Sequence, residues 1–333
     1  MIKTVWKAIT LSSVSACMMF STLPATAADF NFTFAHVLVE STPNAKAAVK
    51  FKEEVEKNSN GRIKINIRPA AQLGGDVEII EQIQMGLVHI GIPPTGNLAN
   101  FEPKMYLFDL PFLMPDLEAA KRVLDGEVGR ELLDTLDRSN IHGINYWGAG
   151  FRHMTNNVRP ITGPDDLKNI KMRTLQAPAI LATYRSFGAN PTAMAFSEVY
   201  NGLQQGVVEG QENPYANIYS MRFQEVQKYM TETGHAYHAY AAIMNKAAWN
   251  SLPDDLKKVM KDAFDAGRDH ARALTVEEDA RIRNEIKDQI EIRELTPEGR
   301  AAFAEKSQAI YKQFEKQVTA ELIQKAQKAA SGN

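Results

Sequence analysis

Apolar residues recur along this chain with two periods. "DFNFTFAHV" (29–37) alternates apolar and polar side chains, as a strand with one buried face does. Ser41 to Lys57 then places Ala47, Ala48, Phe51 and Val55 at helical spacing. Ser41 or Thr42 can cap this helix, and Pro43 suits its first turn. After the turn "NSNGR" comes a second alternating run, "IKINIRP" (63–69). "QLGGD" leads into a helix over Val77–Met85 closed by Gly86, and "LVHIGIPP" (87–94) is a third short strand. This β-α-β-α-β order predicts a partly parallel sheet with helices on its faces.

The pattern then changes. "FEPKMYLFDLPFLMPD" (101–116) reads as a buried irregular connection, and a helix is expected from Leu117 to Leu136. "IHGINYWGAGFRHMTN" (141–156) is strand-like, as is "IKMRTL" (170–175) after a turn and a short helix. "APAILATYRSFGANP" holds a helix stopped by Gly188. "FSEVYNGLQQG" holds another, with Ser197 as its cap and Gly206 as its end. "VVEGQENP" (207–214) has the composition of a polar loop. "HAYHAYAAIMNKAAW" (235–249) is a further apolar strand region, and Pro253 to Lys328 is nearly all helical, with many acid–base pairs four residues apart. The fold class expected is α/β, two lobes joined by several strands and finished by long C-terminal helices.

The first 27 residues have a different character. Lys3 and Lys7 precede a mostly apolar stretch to Leu23, too short to span a bilayer stably, and "ATA" (25–27) offers small residues for cleavage. This predicts an export signal removed near Ala27 and a mature chain of about 305 residues in the periplasm, enough for two domains. Cys17 is the one cysteine in the sequence and falls inside that signal, so the mature chain has neither a disulfide nor a thiol nucleophile. Loss of Lys3 and Lys7 takes the formal charge from −2 to −4. No basic block suits nucleic acid or a membrane surface.

Two arginines stand out in apolar strand surroundings: Arg152 in "WGAGFRHMT" and Arg173 in "NIKMRTL". Each either snorkels to an edge or is held for an anion. Two in successive strand segments favour a shared anion site, because a guanidinium grips a carboxylate through two parallel hydrogen bonds. In "GQENP", Pro214 disfavours the helical region for Asn213 and holds its amide extended, a suitable partner for a carboxylate or hydroxyl. Glu209 and Glu212 are a weak acid–base pair. "HAYH" gives His235 and His238 a spacing of three, without the cysteines or HExxH of a metal site. Phosphate-loop and nucleophile-elbow motifs are lacking. No cofactor and no metal are expected.

Taken together, "GRIKINIRPAAQLGGD", "FRHMT", "LKNIKMRTLQAP", "NPTAMAFSEVYNGLQQGVVEGQENP", "EVQKYMTETGH" and "WNSLPDDLKKVM" resemble the solute-binding proteins of tripartite ATP-independent periplasmic (TRAP) transporters, the DctP-like family. The resemblance implies a two-lobed periplasmic binding protein fold with a central cleft and a long bracing helix. Lobe I would hold about 28–150 plus a segment within 235–280. Lobe II would hold about 151–234 plus the C-terminal helices. It implies a receptor, not an enzyme, that binds a small organic acid and meets the membrane only through its permease partner. By the same resemblance Arg173 makes the main carboxylate grip, Arg152 and Asn213 add contacts, and Phe196 stacks on the ligand. Gln176, His36, Asp76 and His235 are further candidates. Pro94 stands where sialic acid binders carry a glutamate, which argues against that ligand. Rival readings are an enzyme with Glu212 or Asp76 as base, and a metal receptor using His36, His153, His235 and His238.

Overall fold

Local signals set most element ends. The structure, a computed structural model, describes residues 28–332; the expected export signal with Cys17 lies outside the described residues. β1 (Phe30–Ala35) leads to α1 (Pro43–Asn58), where Thr42 accepts from the Ala45 N–H at 3.3 Å and Pro43 occupies a position that needs no donor. β2 (Ile63–Arg68) and α2 (Asp76–Met85) follow, then the two-residue β3 (Ile90–Gly91) and the single turn α3 (Thr95–Leu98). The proline- and aromatic-rich stretch is a buried connection with a 3-10 turn at Pro103–Asp109. The helix expected over Leu117–Leu136 is broken into α4 (Leu117–Asp125) and α5 (Glu127–Thr135). Gly126 is extended between them, and a Cβ there would stand 2.4 Å from the Arg122 carbonyl oxygen.

β4 (Ile141–Phe151) ends the first run, and β5 (His153–Asn156) starts a second one. The second run continues through β6 (Lys171–Thr174), α6 (Pro178–Ser186), β7 (Asn190–Ala193), α7 (Val199–Gln204), β8 (Gly210–Asn213), α8 (Tyr215–Ser220) and β9 (Tyr229–Glu232). Ser197 lies in a 3-10 turn before α7 and makes no capping bond, contrary to expectation. β10 (Tyr237–Asn245) returns the chain to the first sheet. α9 (Lys246–Ser251), the 33-residue α10 (Asp254–Ile286), β11 (Glu291–Glu294), α11 (Pro297–Val318) and α12 (Ala320–Ser331) complete it.

Two sheets result, one per lobe. The first has the order β2-β1-β3-β10-β4, with β1 parallel to β2 and β3, and β10 antiparallel to both its neighbours. The second has the order β11-β9-β5-β8-β6-β7. The chain crosses between them at Arg152, between β4 and β5, and again at Thr233–Ala236, between β9 and β10. The two crossings are tied together: the Arg152 N–H donates to the Ala236 carbonyl at 2.9 Å. α10 makes a third connection. About 50 Å long at 1.5 Å per residue, it packs on α1 and β4 and delivers the chain to β11, which pairs with β9.

The larger apolar core lies between the first sheet, α1 and α10, with Phe34, Phe51, Trp147 and Phe264 at its centre. A smaller one, including Met172, Tyr184, Phe187 and Phe303, lies between the second sheet, α6 and α11. The C-terminal helices do not all sit with lobe II as the resemblance implied. α11 packs on α6, but α12 turns back onto α4 and α5 in lobe I. Its buried face of Leu322, Ile323 and Ala326 is covered there, and Arg122 donates to the carbonyls of Ala329 at 2.9 Å and Ala330 at 2.5 Å.

Candidate ligand-binding site

"GQEN" is not a loop. It is β8, fully buried between β5 and β6 in the second sheet. Four polar or glycyl residues can form a central strand here because each buried group finds a partner. Gln211 donates to Thr155 Oγ1 at 2.9 Å, Asn213 Nδ2 donates to Gln211 Oε1 at 2.6 Å, and Asn213 Oδ1 accepts from Asn217 Nδ2 at 3.2 Å. Gly210 is required by close approach: a Cβ would stand 2.6 Å from both Met172 Sδ and the Thr155 carbonyl oxygen.

Glu212 is the buried anion of the strand. Arg152 grips it with Nε on Oε2 and Nη2 on Oε1 (2.7 Å), and Nη2 also donates to the Glu212 carbonyl at 2.7 Å. Arg152 Nη1 donates to His238 Nδ1. Of its five N–H groups, one on Nη1 is left over. Burial alone would raise the Glu212 carboxyl, but the Arg152 charge and a hydrogen bond from His235 outweigh it and hold it at about 2. Glu209, by contrast, accepts from the Lys171 N–H at 2.9 Å at the strand's edge, so the two glutamates do not form an acid–base pair.

Arg173 has no such partner. Its Nε and Nη2 both donate to one acceptor, the Met194 carbonyl, at 3.0 and 2.7 Å. The other three N–H groups have no acceptor among the described residues. Burial, with the Arg152 charge acting the same way, draws the guanidinium down to about 10 against the pull of Glu212 and Asp76. A buried cation in this state is stabilised by any anion that reaches it.

Arg173 faces a small cavity between the lobes, walled by Val37, Asp76 and Pro94 from lobe I and by Leu175, Phe196, Asn213 and Asn217 from lobe II. Arg152, His238 and Tyr240 close its hinge side. All of these side chains are buried except Asp76, which is half-buried. Burial and the Arg152 and Arg173 charges keep the His238 imidazole neutral. Its Nδ1 accepts from Arg152, so the proton sits on Nε2. Tyr240 OH accepts from Asn217 Nδ2 at 3.1 Å and keeps its own hydrogen to donate. Asp76 has no protein hydrogen bond or ion pair among the described residues. Burial pushes it up to about 7, with Arg173 pulling it down and Glu78 pushing it further up. The lining carries no Ser, Cys or Lys.

The lobes meet directly around this cavity. Asn100 Nδ2 in lobe I donates to the Gln176 carbonyl in lobe II at 2.8 Å. A Cβ on Gly96 would stand 3.1 Å from that of Ala177.

Five of the eight residues singled out from sequence therefore share the cavity: Arg173, Arg152, Asn213, Phe196 and Asp76. Three do not line it. Gln176 offers only its carbonyl, in the contact with Asn100. His235 stands behind Glu212, with Nε2 at 3.5 Å from Oε2 and its Nδ1 2.7 Å from Thr233 Oγ1. His36 turns its ring edge toward Phe34 and borders a separate pocket on lobe I with Glu40 and Lys46. His153 and Tyr237 also lie elsewhere, the former beside Tyr215 and Glu232, the latter against Phe151. Asn217 and Tyr240 were missed. Asn217 lies four residues past Asn213 on the turn that Pro214 starts. Tyr240 shares a strand face with His238, so period two along β10 was the available signal. Among the described residues no group of three His, Cys, Asp or Glu side chains is placed to hold a metal ion, and no helix is long and apolar enough to cross a membrane.

Comparison with known proteins gives a consistent picture. Residues 34–317 match the family model of bacterial extracellular solute-binding proteins, family 7 (DctP). The chain is 37% identical over 319 residues, 94% of its own length and 95% of the relative's, to the C4-dicarboxylate-binding periplasmic protein DctP of Rhodobacter capsulatus. Among solved structures, a TRAP periplasmic solute-binding protein of Sulfurospirillum deleyianum with bound succinate superposes with a TM-score of 0.86 at 36% identity, covering 90% of this chain and 99% of that one. The sugar acid binding protein DctPAm of Advenella mimigardefordensis, in complex with galactonate, does so with a TM-score of 0.88 at 31% identity, covering 91% and 98%.

Proposed function

From the premise that this chain belongs to the DctP family of TRAP solute-binding proteins, we propose that it is a periplasmic receptor that closes around a small organic carboxylate and hands it to a membrane permease. One observation carries the reading: Arg173 is buried at a small cavity between the lobes, and among the described residues three of its N–H groups have no acceptor and no acidic side chain is paired to it. A ligand carboxylate supplies the missing acceptor through a two-point grip. Charge-assisted hydrogen bonds of this kind contribute about 1.5–3 kcal/mol each. Asn213 adds its second amide hydrogen, and the Phe196 ring covers the apolar side.

Arg152 then acts at one remove. Its guanidinium is committed to Glu212 and His238, so it fixes β8 and the hinge and offers the ligand at most one N–H. Closure places walls from both lobes on the ligand, which is how the bound anion favours the closed form. The relatives' ligands named above, C4-dicarboxylates, succinate and galactonate, all carry the carboxylate that Arg173 would take. A lining without a serine, cysteine or lysine nucleophile favours binding over turnover.

The test is a thermal-shift screen of the purified mature chain against organic acids, with the best ligand recovered and weighed by mass spectrometry. A ligand at 100 times its dissociation constant should add about 2.7 kcal/mol. The expected result is stabilisation by carboxylates and recovery of unchanged ligand. Stabilisation by no acid, or recovery of a converted product, would overturn the reading.

A further inference from the structure

The charges around the cavity are unevenly matched, and this bears on which acid the receptor takes; the argument rests on the receptor reading above. The Arg152 charge is met by Glu212. Arg173 forms no ion pair among the described residues and feels only the longer-range pull of Glu212 and Asp76, so the site has room for one anionic group at that end. The remaining polar lining is neutral and hydrogen-bonding: Asn213, Asn217, the Nε2–H of His238 and the hydroxyl of Tyr240. The one other ionisable acid in the wall is Asp76, contributed by lobe I and half-buried. It makes no ion pair with Arg173 although both line the same small space, which leaves the ligand to lie between them.

Asp76 opens α2, where a carboxylate is favoured by the helix N-terminus. That role does not need a cavity, and the exposed Glu78 in the same turn serves it. An acceptor aimed into a ligand space without a protein donor is a group for reading the ligand's own donors. A second carboxylate reaching this wall would face a like charge with no lysine or arginine beside it on lobe I.

We propose that Asp76 selects the ligand's tail: the bound acid carries a single carboxylate, on Arg173, and presents hydroxyl groups to Asp76, so this receptor takes hydroxylated monocarboxylates in preference to dicarboxylates. The charged groups that act on Asp76 are Arg173, which favours the anion, and Glu78, which opposes it; Arg152, committed to Glu212, and the neutral His238 and Tyr240 line the same space. Once Asp76 takes up a proton it no longer repels a second carboxylate, so the preference weakens in acidic buffer.

The experiment is isothermal titration calorimetry at about pH 8.5, above the point near 7 where Asp76 titrates. Three ligand pairs of equal carbon number serve as probes: glycerate and malonate, erythronate and succinate, galactonate and adipate. The expected result is a hydroxy acid bound at least about tenfold tighter than its dicarboxylate partner in each pair that binds. Asp76→Asn should shrink that ratio at least about tenfold. If Asp76→Asn does not fold, the wild-type ratio at about pH 6.5, where the dicarboxylates remain mostly dianions, takes its place and should shrink about threefold or more. A dicarboxylate bound as tightly as its partner, or a ratio unmoved by Asp76→Asn or by acid, overturns the assignment and leaves the receptor reading standing. Binding of none of the six acids would overturn the assignment, and failure of every acid in the thermal-shift screen would remove the receptor reading as well.

Discussion

Arg173→Met separates binding from stability. In the unliganded protein Arg173 carries its charge in a buried site, where its pKa falls from the ordinary arginine value to about 10. A displacement of that size puts a cost of roughly 3 kcal/mol on the charged form. Methionine fills a similar volume without the charge. The substitution leaves the Met194 carbonyl without its two donors, a cost of about 1–3 kcal/mol. The two effects offset each other, so the unliganded variant should be about as stable as the wild type or more so. Binding behaves differently. A two-point grip lost at about 1.5–3 kcal/mol per bond removes about 3–6 kcal/mol, or roughly two to four orders of magnitude in affinity. Differential scanning fluorimetry with and without the best acid reads both quantities. The melting temperature without ligand should hold or rise, and the ligand-induced shift should vanish. A variant that melts many degrees lower, or one that keeps the ligand shift, would refute the picture of an unpaired cation waiting for its anion.

Glu212→Gln should have the opposite profile. It strands the buried Arg152 charge and should destabilise the protein by about 3–5 kcal/mol in urea titration at neutral pH. The pH dependence follows from its sign: a carboxyl held at about 2 in the fold against 4.5 ordinarily contributes stability that is fully present above 4.5 and is lost as pH falls toward 2. The gap between wild type and Glu212→Gln should therefore close in acid, and a gap that stays constant from pH 6 to pH 3 would argue against the ion pair. Asn100→Ala removes the hydrogen bond to the Gln176 carbonyl that joins the lobes. It should raise the ligand's dissociation rate about two- to tenfold, with an unchanged rate in stopped-flow fluorescence showing that the contact does not hold the closed form.

The order of strands and helices was legible because amphipathic periods and capping residues carry it: Thr42, Pro43 and Gly86 mark ends where they were expected. Arg173 and Arg152 were legible for a related reason, since a charged group in an apolar strand requires a partner, and Asn213 was legible from the proline that holds it extended. What escaped the sequence was pairing. β8 read as a loop because its strand character comes from partners at Thr155, Arg152 and Asn217, distant in sequence or across a turn. His235 and His238 look equivalent in "HAYH", yet one stands outside β10 behind Glu212 and the other faces the cavity from within it. His36 and Val37 are neighbours just past β1, yet Val37 lines the cavity and His36 borders a separate pocket, a difference of side-chain direction that one sequence does not carry. The break at Gly126 was available as a residue, but glycine within a helical pattern is often tolerated.

β8 also matters before the protein has folded. A central strand is usually the stickiest part of an unfolded chain, rich in valine and isoleucine and prone to pair with a second copy. Here the segment between β5 and β6 is Gly-Gln-Glu-Asn, ended by a proline. It has low β-propensity, carries a charge, and gains nothing from pairing until Arg152 and Thr155, some 60 residues upstream, are in place. The second sheet thus assembles around a strand that only its own partners can recruit, and an unfolded copy offers its neighbours little to bind at the position where aggregation would otherwise begin.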